Sequence, residues 1–107
     1  MENTLQFLET HDMFFTGAYQ DYLAFTLSRQ LLAPETWEAF VRVFNFDSDD
    51  EDRGWRCEYW GKMMRGACLC YRATGNEALY GLLRDTVLDL LRTQRPDGRI
   101  STYSAGC

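Results

Sequence analysis

Residues 57–93 hold two helical patterns of different kinds, one on each side of Thr74-Gly75-Asn76. The first, residues 57–73, is apolar on two sides. Cys57, Trp60, Met64, Cys68 and Tyr71 form one stripe, and Tyr59, Met63, Gly66 and Cys70 form another. Only Glu58, Lys62, Arg65 and Arg72 break the pattern, near one line that also holds Leu69. A helix with apolar residues on both sides is covered by protein on both sides. The second pattern, residues 77–93, puts Leu79, Leu82, Leu83, Val87, Leu90 and Leu91 on one face, with Arg84, Asp85, Asp89 and Arg92 away from it. That is a surface helix with one buried side. The pair reads as one inner and one outer helix of a helical barrel, with residues 57–73 the more buried. Gly61, Gly66 and Ala67 permit close helix approach at a cost in intrinsic propensity. Gly75 suits a left-handed C-cap, and Asn76 the next N-cap.

Upstream, residues 1–15 are rich in aromatics without clean periodicity and read as a short helix (4–10) and a loop. Thr16 reads as an N-cap. Tyr19, Tyr22, Leu23, Phe25, Thr26, Leu27 and Leu31 then make residues 17–32 a mostly buried helix. Pro34 suits a first helical turn. Trp37, Phe40, Val41 and Phe44 fall at i, i+3, i+4 and i+7, so residues 35–44 form a second amphipathic helix. Residues 45–54 are the clearest break, because the run D-S-D-D-E-D repels itself and stays solvated. Arg95-Pro96-Asp97-Gly98 is a strong turn signal. The expected fold is all-α: four main helices as two antiparallel pairs within one domain spanning residues 1–107.

A chain of 107 residues is one domain at most. Its net charge of −5 argues against nucleic acid as a partner, because phosphate contacts need a surplus of Lys and Arg on one face. No apolar run approaches the roughly 20 residues needed to span a bilayer, so no membrane partner is expected. The first ten residues carry Glu2 and Glu9 and no apolar run, and the expected setting is the cytoplasm. Cys57, Cys68 and Cys70 fall in one helix, where Cys68 and Cys70, two apart, point to different sides and are ill placed to chelate one metal, and His11 is the sole histidine. They read as small buried thiols in a reducing compartment. Asp47, Asp49, Glu51 and Glu58 match positions 1, 3, 5 and 12 of a calcium loop. Asp52 replaces the glycine such a loop needs, so a solvated loop is the better reading. No metal or other cofactor is expected.

Three stretches carry a family resemblance. W-R-C-E-Y-W-G-K-M-M-R-G-A (55–67), Y-R-A-T-G-N-E-A-L-Y (71–80) and T-Q-R-P-D-G-R-I-S-T-Y (93–103) together resemble the N-terminal part of the β-L-arabinofuranosidase-like enzymes, glycoside hydrolase family 127 and its relatives. The resemblance covers residues 55–104 well and is looser upstream. It implies part of an (α/α)6 toroid, with a sugar cleft at one end and carbohydrate as partner. It also implies that the loops 45–56 and 95–107 lie on the cleft side. Enzymes of this family take their nucleophile, acid/base and zinc ligands from later helices and loops that have no counterpart here.

Two groups are candidate substrate-binding sites, and no catalytic residue is assigned. Glu58, Tyr59, Trp60 and Lys62 fall at the start of the inner helix, where an aromatic ring can stack on a sugar. The plainer reading is core packing for the two rings and an i, i+4 pair of Glu58 with Lys62. Asp97, Arg99, Thr102 and Tyr103 form the second group, with Arg99 and Tyr103 placed to line a cleft. Here the plainer reading is a connecting turn around Asp97-Gly98. The functional expectation is barrel wall with sugar contacts and no catalytic groups. The alternative is a free-standing helical interaction module. A homo-oligomer is expected, formed through Tyr59, Trp60, Met63 and Met64, or else residues 1–15 cover that surface.

Overall fold

The computed structural model of the protein describes residues 13–49 and 56–106, and every regular element among them is helical. Helix α1 spans Ala18–Thr26 and runs into a π turn at Leu27–Leu31; α2 spans Pro34–Arg42 and ends in a 3-10 turn at Val43–Asn45. Helices α3 (Arg56–Thr74) and α4 (Glu77–Arg92) follow. The all-α class is therefore as the sequence predicts.

Local chemistry explains most boundaries. Pro34 occupies the first turn of α2, where its missing N–H removes no helical hydrogen bond. Gly75 takes φ +62 at the end of α3, and its N–H donates to Tyr71 O at 2.7 Å. That left-handed position suits glycine. Asn76 caps α4 by accepting from Leu79 N–H at 2.9 Å. The entry to α1 differs from expectation. Gly17 is its N-cap, with φ 61, and no side chain caps the helix, so Thr16 does not serve.

The core is a three-helix cluster in which α2 packs against α3 and α4, and α3 against α4. Leu31, Trp37, Ala67, Leu79 and Leu83 form its buried centre, with Trp60, Met63, Met64 and Tyr71 half-buried around it. Burial of a leucine side chain such as Leu79 or Leu83 contributes roughly 1.5–3 kcal/mol each. The indole N–H of Trp37 donates to Leu31 O at 2.9 Å, which ties α2 to the carbonyl end of the π turn. That bond also satisfies a polar group that would be costly to bury alone.

Two expectations are overturned. Residues 17–32 do not form a mostly buried helix: α1 buries no residue, and Tyr19, Tyr22 and Phe25 are 77%, 71% and 59% exposed. It joins the cluster through the π turn, which touches α2. Nor is α3 the more buried of the last two helices. Ala67 is its one buried residue among those described, whereas α4 buries Leu79, Leu83 and Thr86. Tyr59, Lys62, Arg65, Gly66, Leu69 and Arg72 give α3 a broad exposed face. Met63 and Cys70 of its second apolar stripe pack on the core, while Tyr59 and Gly66 stay on the exposed side.

Candidate functional site

The segment 47–49, beyond α2, and the segment 95–104, beyond α4, are laced together. Arg95 Nη2 pairs with Asp47 Oδ1. Ser48 N–H donates to Thr102 O at 2.7 Å, and Ser104 N–H donates to Asp49 Oδ1 at 2.9 Å. The Asp47 hydrogen bond holds the Arg95 guanidinium above its ordinary pKa, as a charge-assisted bond should.

The second loop has an internal frame. Gly98 N–H donates to Arg95 O at 2.8 Å, and Arg95 N–H to Arg99 O at 2.9 Å. Pro96 stands at the second position of this turn. No non-glycine residue among those described has positive φ, so Asp97 does not take the type II conformation and the turn is type I. Gly98, at φ +88, then makes the left-handed step that closes it. Asp97 Oδ1 accepts from Arg99 N–H at 3.0 Å and its Oδ2 from Arg99 Nε at 2.7 Å. The backbone bond and then the guanidinium hold the Asp97 carboxyl below the ordinary aspartate value. Arg99 Nη1 reaches on to Ser104 O at 3.1 Å. Arg99 thus spends two of its donors in bracing the loop. Tyr103 is half-buried, and its N–H donates to Ser101 Oγ at 3.0 Å. Thr102 is fully buried, and its hydroxyl is without a partner among the described residues.

The other candidate group sits at the start of α3. Glu58 pairs with Lys62 Nζ at 2.7 Å. Trp60 Nε1 donates to Thr86 Oγ1 on α4 at 3.0 Å, which places the ring against the core. Tyr59 is half exposed, with its ring centroid 6.4 Å from that of Phe40. No hydrogen bond, ion pair or ring contact joins Glu58, Tyr59 or Trp60 to Arg99 or Tyr103 among the described residues.

No group of three or more His, Cys, Asp or Glu side chains that could hold a metal occurs among the described residues. Glu51 and His11 lie outside those residues. Cys68 is exposed and is 3.7 Å from Met64 Sδ, which corrects its reading as a buried thiol; burial does push the Cys70 thiol up. No helix among the described residues is long and apolar enough to cross a membrane.

An apolar concavity lies elsewhere. A groove of about 330 Å³ runs between α1 and the second half of α3, with Tyr19, Tyr22 and Leu23 on one wall and Leu69, Cys70 and Ala73 on the other.

The sequence reading did not foresee Asp47, Asp49 and Thr86 as structural partners. Thr86 was legible, since it follows Leu79 and Leu83 at i+7 and i+3. The pairing of Asp47 with Arg95 crosses 48 positions and leaves no local signal. No known protein family, curated protein or solved structure matches the chain, so the resemblance rests on its quoted motifs alone.

Proposed function

We propose that this chain is a wall segment of a helical, carbohydrate-acting (α/α)6 barrel, resembling the β-L-arabinofuranosidase-like glycoside hydrolases, and that it supplies no catalytic groups. The observation that supports this reading is the lacing of segments 47–49 and 95–104, which gathers both at one end of the α2–α3–α4 cluster. The resemblance calls for those two loops on a common, sugar-facing side. Tyr59, half exposed, and Tyr103 and Arg99 on the second loop are the residues proposed to touch sugar. Glu58 and Trp60 support them through Lys62 and Thr86. A cytoplasmic setting belongs to the same proposal, supported by the unbridged thiols of Cys68 and Cys70.

The test is a titration of the pure chain with L-arabinofuranosides, followed by amide chemical shifts. Perturbation centred on Arg99, Tyr103 and Tyr59, without turnover of an aryl arabinofuranoside, is the expected outcome. Turnover would contradict the absence of catalytic groups, since hydrolysis needs a placed acid/base and a nucleophile or activated water. Flat spectra at saturating sugar would remove the sugar contacts.

A second reading is favoured by a different observation. An aromatic helix face as open as that of α1 is unusual on a soluble monomer, and such faces find partners. On this reading the chain is a helical interaction module that associates with its own copies.

A further inference from the structure

We infer that the α1–α3 groove is the contact face of a two-fold homodimer, in which the aromatic face of α1 from each copy lies in the groove of the other. This rests on the interaction-module reading and assigns it a face. The first argument is the state of α1. It has nine residues, a cap without a side-chain bond, and no buried residue. A helix shorter than about 12–15 residues is marginal in water and needs tertiary packing to persist. Even with the π turn that extends it, α1 places no residue in the core among the described residues.

The second argument is shape. A two-fold contact uses the same patch twice, so the patch must carry both a projection and a recess. This one does. The recess is the 330 Å³ groove, walled by Tyr22 and Leu69. Beside it project Phe14, 94% exposed, and Phe25, neither of which lines the groove.

The third argument is area. Tyr19, Tyr22, Phe25 and Phe14 leave uncovered the equivalent of about three aromatic side chains, on the order of 600 Å². With Phe15 and Leu69 the patch approaches the ~800 Å² that each partner contributes to a stable interface. Charge agrees. Asp21 on α1 and Arg65 on α3, one turn before Leu69, have no ion-pair partner among the described residues. Placing α1 of one copy over α3 of the other brings unlike charges to one face.

Sedimentation and far-ultraviolet circular dichroism of the full chain, from low to high micromolar concentration, test this. A monomer–dimer equilibrium is expected, with helix content rising as dimer forms. Tyr22→Glu and Phe25→Glu should each weaken association at least about tenfold, as loss of a central aromatic does. Leu88→Glu, on the exposed side of α4, should leave it unchanged. Because Tyr22 and Phe25 are exposed, their replacement spares the core, and the thermal transition of the α2–α3–α4 cluster reports that. A dimer weakened by Leu88→Glu and indifferent to Tyr22→Glu overturns the assigned face while leaving self-association standing. A monomer throughout overturns both.

Discussion

Trp60 Nε1 and Thr86 Oγ1 lie 3.0 Å apart and form a polar tie between α3 and α4, beside a core of apolar side chains. Thr86 is buried, so an indole N–H deprived of this acceptor has little water to turn to. Thr86→Val, which keeps the shape, is expected to destabilise the chain by about 1–3 kcal/mol in urea unfolding. Thr86→Ser, which keeps the acceptor, should cost less. Equal stability of Thr86→Val and the parent would show the bond to be dispensable.

The helical glycines separate a bare chain from a barrel. Gly61 and Gly66 sit within α3, and a methyl group added at either meets open space. Gly61→Ala and Gly66→Ala should therefore each stabilise the chain by roughly 0.5–1 kcal/mol, through helix propensity and a less flexible unfolded state. In a longer protein where another helix closes on α3, the same changes should be neutral or harmful. Thermal melts of the two contexts decide it.

Asn76 is a dedicated cap, and its amide oxygen holds Leu79 N–H at the start of α4. Asn76→Ala should cost about 1 kcal/mol and Asn76→Asp much less. Hydrogen exchange at the Leu79 amide should quicken in the alanine variant first. Unchanged protection there would mean that packing of the buried Leu79 alone holds the turn.

Asp97 should titrate below an ordinary aspartate. Its folded pKa is lowered by the Arg99 N–H and guanidinium, so its contribution to the loop is present above the unfolded value. That contribution fades as acid takes the pH down through the folded value. Carboxyl carbon shifts would follow the titration, and Arg99→Gln should move the midpoint upward. A midpoint at or above the ordinary aspartate value would contradict the observed geometry.

How far the sequence was legible depended on the range of each signal. The bounds of α2, α3 and α4 were readable, because Pro34, Gly75, Asn76 and the spacing of Trp37, Phe40, Val41 and Phe44 act within a turn or two. The turn at residues 95–98 was readable for the same reason. Burial was not, since it depends on what lies opposite. Tyr19, Tyr22 and Tyr59 have core-like spacing, yet each stays more than half exposed. On α4 the inward line runs through Leu79, Leu83 and Thr86, and Val87 and Leu91 turn outward, a rotation that the leucines alone did not reveal. The join between the loops after α2 and α4 was beyond reach, because its bonds span about half the chain.

The bond from Ser48 N–H to Thr102 O has a consequence for how the chain comes apart. It closes the α3–α4 hairpin into a ring, with Gly75 at one end and the joined loops at the other. Opening any part of that ring exposes the rest, so α3, α4 and both loops should unfold as one cooperative unit. Helix α1 stands outside the ring and can melt without breaking it. Hydrogen exchange on the monomer should therefore show two tiers: α1 amides that exchange freely at neutral pH, and α3–α4 amides that open only with the whole.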